Sequence, residues 1–508
     1  MKPVRTLLLV LLAIASLTSA GVAPSEAASS PAGGHVDQPL QQLARQQPTA
    51  NVRVLVQGGR AADVSAAVQR TGGQVRKQLP HVASVAADLR ADQAAALSAQ
   101  PGVTRVMLDA PMNAVFGGFD PTQWPASAFS QTVGAPPLWS SGQTGRGVAI
   151  AVLDSGIQTH PDFGTRVIAN VRFNNGASSS SDQYGHGTWV AGIAAGSGAA
   201  SNGRYTGIAP GASLVNLKVS DDTGLAYTSD VVDALGWVVA HHWALNIRVV
   251  NMSFVSSLPE SYSTNVLDAA IEMVWHSGVV VVASAGNQGP NTVRGAPAND
   301  PYVITVGASD DDATTSTWDD TLAWFSSYGI TQDGVSKPDL VAPGRHIIGA
   351  LASPGRGLAK QFPTKIIGDS YIQLSGTSAS APVVSGAIAI LLQAYPHLSP
   401  DRVKWLLAHS ARDVRGPAAA LGGGELDLGN AMHNAGGWVG QANRGLTPNQ
   451  LVALAYVASI GQPNLSWDSV SWDSVSWDSV SWDSVSWDSV SWDTSGWDAV
   501  GFDSILGD

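Results

Sequence analysis

The stretch VAIAVLDSG, residues 148–156, is an apolar run that ends at a carboxylate and a glycine. Helical patterns such as TSDVVDALGWVVAHH and NVLDAAIEMVWHSG separate it from three similar runs: LVNLKV (214–219), RVVNMS (248–253) and VVVVAS (279–284). Strands that are apolar along their whole length are typical of a parallel sheet with helices on both faces. Residues 145–410 are therefore predicted to form a doubly wound, mainly parallel α/β domain.

A second, smaller unit precedes this domain. Residues 51–110 alternate in the order β-α-β-β-α-β, read from NVRVLVQ, AADVSAAVQR, QVRKQL, VASVAADL, ADQAAALSAQ and VTRVML. This order predicts a small ferredoxin-like α+β domain. The sequence LDAPMNAVFGGF, which begins at residue 108, has neither helical nor strand periodicity.

The N-terminus has the three parts of a secretory signal. Lys2 and Arg5 precede an apolar stretch at 7–17, and small residues end at Ala20 or Ala27. A membrane anchor is the alternative, but it needs about 18 to 20 apolar residues. We predict a signal at 1–27, a secreted extracellular protein and no transmembrane segment after cleavage. The chain has no cysteine, which excludes disulfides and thiol catalysis.

The C-terminal part divides into a connector and a repetitive tail. Residues 436–465 are predicted to be a connector with a short helix, capped by Thr447 and ended by Gly461. Residues 466–508 repeat SWDSV five times and then continue as SWDTS, GWDAV and GFDSI. The tail holds nine Asp and no Lys or Arg, so most of the net charge of -12 lies there. An acidic disordered tail and a strand-forming, partner-binding or surface-attaching tail remain alternatives, with the partner unknown.

Three polar residues are predicted at the carboxyl edge of the parallel sheet. Asp154 ends an apolar strand, Asn287 follows another, and His186 lies between two glycines at the start of an apolar helix. Parallel strands and the helices after them open on one edge, so these side chains are expected to meet there. The histidines in polar loops or at helix ends are predicted to be solvated or capping: His160, His241, His242 and His276.

The nucleophile is predicted in QLSGTSASAPVVSGAIAILLQ, residues 373–393. Ser378 lies where a glycine-containing loop enters a long apolar helix, so backbone amides and the helix dipole face its hydroxyl. Ser375 precedes this turn, and Ser380 and Ser385 already lie on the helix. A serine needs a base to become reactive, and His186 supplies one.

Three segments resemble the active-site signatures of the subtilase family of serine proteases: DSGIQTHPDF (154–163), GHGTWVAGI (185–193) and SGTSASAP (375–382). The resemblance covers residues 137–434. It implies that Ser378 attacks a peptide carbonyl, His186 transfers the proton and Asp154 orients the imidazole. It also implies an oxyanion hole at Asn287 and the Ser378 amide, and it assigns these substrate-binding residues: Ser253, Phe254, Val255 and Gly286.

The resemblance gives the smaller domain a meaning as well. Residues 28–112, with a folded core at 51–110, resemble an inhibitory propeptide that is cut off by the enzyme itself. Its end is expected in the cleft, with the cut within residues 108–120, and the peptidase domain is expected at 113–435. The expected partners are peptide or protein substrates and the chain's own propeptide, and no nucleic acid.

Some residues depart from the family pattern. Trp189 stands where a second histidine is frequent in the family. Val255 and Ser256 stand where many members have two glycines, so the substrate pocket is expected to differ in shape. We expect broad cleavage after apolar residues. Catalysis needs no cofactor in this family; structural calcium is common in it, but no residue is assigned as a metal ligand, since Asp310–Asp312 reads equally well as a solvated loop. The alternative function is a weak or inactive scaffold that binds or attaches to surfaces through the tail.

Overall fold

The computed structural model describes residues 35–109, 111–114, 127–437 and 439–453. The predicted signal at 1–27 and the repetitive tail at 466–508 lie outside the described residues, as do residues 454–465 of the predicted connector. The account below concerns the described residues.

The central sheet of the larger domain has eight strands, all parallel except the short antiparallel edge strand Thr321–Leu322. The order across the sheet is Thr321–Leu322, Ile304–Asp310, Val280–Ser284, Ile247–Met252, Ala149–Asp154, Ser213–Lys218 and Val167–Arg172, with Leu340–Pro343 paired to Ile304–Asp310. The four predicted apolar runs are adjacent in this order, and almost all of their side chains are buried. The predicted doubly wound, mainly parallel sheet is confirmed.

Two pairs of helices pack against the sheet. The first pair is His186–Ala195, here called the His186 helix, and Thr377–Ala394, here called the Ser378 helix. The second pair is Thr228–Leu245 and Val266–His276. Shorter helices complete the domain: Phe129–Thr132, Ala135–Ser140, Gly357–Gln361, Pro400–Ser410 and Leu428–Asn434. By length and composition the Ser378 helix could span a membrane, but 89% of it is buried inside the fold, as a core helix would be.

The smaller domain has the predicted element order. Its helices are Gln38–Gln46, Ala61–Arg70 and Ala91–Ala96. Its five-stranded sheet has the order His35–Val36, Val103–Leu108, Asn51–Gly58, Ser84–Arg90 and Gln74–Leu79. The strand at His35–Val36 and the helix after it were not predicted; Asp37 caps that helix by accepting the Leu40 N–H at 3.1 Å.

The two faces of this five-stranded sheet have different neighbours. Val54 and Val106 belong to a small core shared with the domain's own helices, whereas Leu55 and Met107 belong to the core of the larger domain. Polar contacts also cross the boundary. Lys77 Nζ lies 3.0 Å from Asp230, at the start of the helix Thr228–Leu245. The smaller domain is therefore docked on the helices that cover one face of the central sheet.

The segment after the smaller domain is a strand, although its sequence has no strand periodicity. Pro111–Ala114, here called the cleft strand, lies antiparallel between Ala226–Tyr227 and Phe254–Ser256. Its partners come from two separate segments of the larger domain, so the backbone pairing does not depend on alternation in its own sequence. Two further small sheets are Gly329–Ile330 with Ser336–Lys337, and Ile347–Ala350, Tyr371–Leu374 and Ile366–Ile367.

The predicted connector is in part a packed segment. A helix begins at residue 450, and Asn449 caps it by accepting the Leu451 N–H at 3.0 Å, so the predicted cap at Thr447 is wrong. Asn449 is fully buried, and its N–H donates to Glu272 at 2.7 Å. Val452 lies in the main core. Residues up to 453 thus belong to the packed larger domain, because these contacts hold them against the helix Val266–His276.

Candidate active site

Three of the predicted site residues lie at the carboxyl edge of the central sheet. Asp154 is the last residue of its strand, His186 is the first residue of the His186 helix, and Ser378 is the second residue of the Ser378 helix. All three are buried, with exposed fractions of 4%, 0% and 0%. The two helices pack on each other: a Cβ on Gly386, eight residues after Ser378, would lie 2.7 Å from the carbonyl oxygen of Ala194, eight residues after His186.

The imidazole of His186 is held by Asp154. Its Nδ1 lies 2.7 Å from Asp154 Oδ1 and 2.9 Å from Oδ2. The same carboxylate accepts the Ser155 N–H at 2.7 Å, which fixes its orientation. A carboxylate on Nδ1 selects the tautomer that leaves Nε2 able to accept a proton.

Ser378 differs from the neighbouring serines in its surroundings. Its Oγ donates to the Ser253 carbonyl oxygen at 3.1 Å, and Ser253 Oγ donates back to the Ser378 carbonyl at 3.0 Å. Ser375 Oγ instead accepts the His346 N–H at 2.9 Å, and Ser385 donates to Asn251 at 2.9 Å. These contacts place Ser378, rather than its neighbours, beside the segment that borders the cleft strand.

Asn287 lies next to the start of the Ser378 helix. Its Oδ1 accepts both the N–H and the Oγ of Thr377 at 2.9 Å. The Thr377 hydroxyl also accepts the Gly286 N–H at 3.1 Å. Asn287 Nδ2 is buried and has no hydrogen-bond partner among the described residues. Since a buried amide donor normally finds an acceptor, this one is available for a bound oxygen atom.

Of the predicted substrate-binding residues, Phe254 and Val255 pair with the cleft strand, whereas Ser253 contacts Ser378 and Gly286 contacts Thr377. In the register of this small sheet, Phe254 is opposite Ala114 and Val255 is opposite Asn113. Val255 and Ser256 therefore form a backbone ladder even though neither is glycine. The side chain of Val255 packs against a small apolar cluster formed by Ala285, Val293 and Ala298. Val255 Cγ2 would also lie 3.3 Å from a Cβ built on Gly295, so the Val255 side chain packs closely against this glycine.

Several buried polar residues near the site were not singled out from the sequence. Thr377 orients Asn287, and Asp182 accepts hydrogen bonds from the turn that carries His186. In the sequence, these two residues could have been identified only by their closeness to predicted site residues: Thr377 directly precedes Ser378, and Asp182 lies four residues before His186. Trp189 lies in the His186 helix, where its Nε1 donates to the Ile347 carbonyl at 3.2 Å and its ring centroid is 5.7 Å from that of His186.

Part of the prediction for the other histidines was wrong. His160, His242 and His276 are buried, with exposed fractions of 6% or less, so the solvated alternative is wrong for these three. Burial lowers the pKa of His276 to about 3, so this residue is neutral. Asp311 is also buried, and its burial raises its pKa to about 7, so the acidic run is not a simple solvated loop. Composition alone could not separate these groups from exposed ones, since their burial comes from tertiary packing.

Residues 35–109, 111–114, 127–437 and 439–453 contain no cluster of three or more His, Asp or Glu side chains with metal-binding geometry. Calcium also binds backbone and amide oxygens, which such a cluster does not include.

Residues 145–430 match the model of the subtilase family. Serine protease AprX of Bacillus subtilis (strain 168) is 38% identical over 270 residues, which is 52% of this chain and 61% of AprX. Subtilisin NAT of Bacillus subtilis subsp. natto is 32% identical over 349 residues, which is 68% of this chain and 79% of that protein.

A solved structure is also similar. It is fervidolysin from Fervidobacterium pennivorans, described as a keratinolytic enzyme related to subtilisin, with a TM-score of 0.60 and 25% sequence identity. The match covers 76% of this chain and 61% of the fervidolysin chain. Like the match to AprX, it spans less than two thirds of the relative's own length.

Proposed function

The chain belongs to the subtilase family of serine endopeptidases, and we propose that it hydrolyses peptide bonds through Ser378, His186 and Asp154 after cutting off its own N-terminal domain. The observation that carries the proposal is the Asp154–His186 hydrogen bond of 2.7 Å at the start of the helix that packs on the Ser378 helix. Subtilase catalysis needs no cofactor, so these side chains suffice for the chemistry.

Each group has one role in the proposed reaction. The Ser378 oxygen forms a bond to the substrate carbonyl carbon while His186 Nε2 takes its proton. The proton then passes to the leaving amine as the peptide bond breaks, and water releases the acyl group by the same steps. Asp154 stabilises the imidazolium. The buried Asn287 Nδ2, together with the Ser378 backbone N–H, donates to the negative oxygen of the intermediate.

The first substrate is the chain itself. The cleft strand pairs with Phe254–Ser256 as an added substrate strand would, with Ala114 opposite Phe254. Ala114 is the last described residue of the cleft strand, and Ser253, which precedes Phe254, accepts the Ser378 hydroxyl through its carbonyl oxygen. The nucleophile therefore lies next to the residue that precedes the partner of Ala114, which points to a cut shortly after Ala114. We therefore assign the first cut to the bond between residues 115 and 116. This bond lies within the expected range of 108–120 and moves the domain boundary three residues beyond 112.

In this proposal residues 28–115 are an inhibitory propeptide. Two contacts support the role: the cleft strand pairs with Ala226–Tyr227 and Phe254–Ser256 of the larger domain, and the smaller domain packs on the helices Thr228–Leu245 and Val266–His276. The precursor is exported through the predicted signal at 1–27. The alternatives for the tail at 466–508 are an acidic disordered segment and a segment that binds a partner or retains the protein at a surface.

The space beside the cleft strand supports a narrower preference than broad cleavage. Val255 lies on the segment that would flank the residue before the cut, and it packs across toward Ala285 and Val293. A large side chain would have to displace it. We therefore propose that small apolar residues, such as Val115 of the chain itself, are preferred on the acyl side.

Covalent labelling tests the nucleophile directly. The secreted protein is treated with phenylmethylsulfonyl fluoride, in which the serine oxygen bonds to sulfur and fluoride leaves. We expect one adduct, on Ser378, and none on the neighbouring Ser380. His186→Ala is the matched control and should remain unlabelled. An adduct that persists in His186→Ala, or one that lies on another serine, would refute the assignment.

A further inference from the structure

Asp182 is a buried carboxylate in the turn before His186, and its exposed fraction is 1%. Its Oδ1 accepts the Gly185 N–H at 2.6 Å, the Ser155 hydroxyl at 2.9 Å and the Tyr184 N–H at 3.1 Å. Its Oδ2 accepts the hydroxyl and the N–H of Thr188 at 2.7 and 2.8 Å. One carboxylate thus binds both ends of the turn that carries His186.

Ser155 connects this network to the other half of the Asp154–His186 pair. Its N–H donates to Asp154, its hydroxyl donates to Asp182, and the same hydroxyl accepts the Gly187 N–H at 2.9 Å. The end of the Asp154 strand and the start of the His186 helix are therefore joined through a single side chain.

The contacts favour an ionised Asp182. Three of its five hydrogen bonds come from the backbone N–H groups of Tyr184, Gly185 and Thr188, which can only donate, and both carboxylate oxygens accept at least one of them. Burial raises the pKa of Asp182, and the N–H of Gly185 and the side chain of Thr188 oppose that shift. No salt bridge to Asp182 occurs among the residues that the structure describes. A buried charge without a counterion depends on such hydrogen bonds, so loss of one of them leaves a costly unsatisfied group.

The turn needs the hydrogen bonds of Asp182 because His186 lies between two glycines, which allow the backbone many conformations. Gly185 has a φ of +101°, a conformation that glycine adopts without strain. A Cβ on Gly187 would lie 2.2 Å from the Gly156 carbonyl oxygen, so only glycine fits there. The positive φ at Gly185 and the close packing at Gly187 thus favour glycine on both sides of His186, and the Asp182 hydrogen bonds restrict the conformational freedom of these two glycines.

We infer that Asp182 is a positioning residue that holds the His186 imidazole in line with Asp154. The inference rests on the proposed function, because it assigns to Asp182 the geometry of the base in that reaction. Asp182 bonds to the backbone around His186 and to Ser155, so it acts through these residues on the reacting groups. A misplacement of a catalytic group by about 1 Å can cost about 10²-fold in rate.

The test is Asp182→Asn in the full secreted chain. Asparagine keeps the size of the side chain but replaces one carboxylate oxygen, which accepts hydrogen bonds, with an amide NH₂ group. This group would face hydrogen-bond donors and could not accept their protons. We expect kcat on a peptide substrate to fall by about 10²-fold with KM nearly unchanged, because the geometry matters in the transition state. Asp162→Asn is the matched control, since Asp162 is also 1% exposed and accepts the Ala200 N–H at 2.9 Å, away from His186. It should leave kcat nearly unchanged.

A spectroscopic signal separates positioning from general damage. The proton between His186 Nδ1 and Asp154 gives a low-field proton resonance, which we expect to weaken or shift in Asp182→Asn and to persist in Asp162→Asn. This signal depends only on the hydrogen bond, so it can be read in a chain that cleaves nothing. A wild-type chain with the resonance but without peptidase activity would refute the proposed function and not the positioning role.

Ser155→Ala keeps the inference testable if Asp182→Asn fails to fold. This change removes the hydroxyl that joins Ser155 to Asp182 and to the Gly187 N–H, while the Ser155 N–H can still donate to Asp154. It leaves the Tyr184, Gly185 and Thr188 contacts of Asp182 in place. We expect a smaller loss of kcat, of about 10-fold, with the same change in the resonance. Normal kcat and a normal resonance in either folded variant would overturn the inference.

Discussion

The two large sheets of the molecule differ in what covers them. The parallel central sheet lies between helices of its own domain, with Ala149–Asp154 and Ile247–Met252 at its centre. The antiparallel sheet of the N-terminal domain packs one face on its own helices and the other face on the larger domain. The central sheet has both faces covered within its own domain, whereas the N-terminal sheet has its second face covered only when the two domains are in contact.

Because of this difference, the residues proposed for catalysis and the residues that hold the two domains together lie in different parts of the molecule. The proposed catalytic residues lie at the edge of the central sheet, whose faces are covered by helices of the same domain, so removal of the N-terminal domain leaves the elements that carry them in place. The N-terminal sheet has apolar residues such as Leu55 and Met107 that docking keeps from water. Substitutions on the central sheet should therefore change turnover, and substitutions at the boundary should change stability before the cut.

The largest expected effect follows from Ser378→Ala, which should remove chemistry and leave docking intact. Turnover should fall by about 10⁶-fold, the magnitude known for the corresponding serine of subtilisin, a relative of this chain. Hydrolysis of a peptide substrate measures the loss, and thermal unfolding of the uncut chain checks the fold. Activity within about tenfold of the wild type would contradict the assignment.

Asn287→Ala should have the second largest effect. It removes the buried Nδ2 donor, and the expected loss is about 10²- to 10³-fold in kcat with little change in KM. Steady-state kinetics on the same peptide give both values. Gln288→Ala is a control, because its exposed neighbouring side chain is not proposed to touch the substrate. An equal loss in both variants would contradict a specific role for Asn287.

Val255→Gly should change selectivity rather than turnover. Removal of the side chain that packs toward Ala285 and Val293 makes room for a larger residue before the cut. We expect the ratio of kcat/KM for phenylalanine over valine at that position to rise about 10-fold. Val171→Ala, a partly buried valine on the edge strand Val167–Arg172, should leave the ratio unchanged. An unchanged ratio in Val255→Gly would show that Val255 does not limit the pocket.

The smallest expected effect is a pH dependence of docking. Burial and the nearby Glu260 raise the pKa of Asp37 to about 7. Burial raises the pKa of Asp230 to about 6, against the influence of Lys77 and Arg53. Raised carboxyl pKa values favour the protonated form in the docked chain, so their stabilising contribution is present at low pH and lost as pH rises through about 6 to 7.

Thermal unfolding of the uncut Ser378→Ala chain measures this effect. The midpoint should fall by a few degrees between about pH 5 and about pH 8. Adding Asp230→Asn should flatten the change, whereas Asp88→Asn should not, because Asp88 pairs with Arg76 inside the N-terminal domain. A midpoint that rises over this range would contradict the assignment.

The sequence was sufficient for features that local patterns determine. The apolar strands before Asp154 and Asn287, the glycine-flanked His186 and the helix after Ser378 were all predicted at the observed elements. Their burial and periodicity are properties of short segments, which makes them readable without tertiary information.

Features that depend on distant partners were missed. The cleft strand pairs with two segments more than 100 residues away, so its own sequence carries no strand signal. Asn449 caps a helix because its other groups meet Glu272 and Asn265, and Asp182 joins Ser155 across 27 residues. Such contacts arise from packing, and one sequence does not encode them as a pattern.

The most direct test of self-cleavage by Ser378 is the identity of the new N-terminus in the secreted protein. Terminal sequencing of the large fragment, with intact mass of both fragments, should show a chain that begins at Phe116, and the Ser378→Ala chain should remain joined at that bond. A fragment that begins outside residues 109–121, or a cut that also appears in Ser378→Ala, would contradict the account.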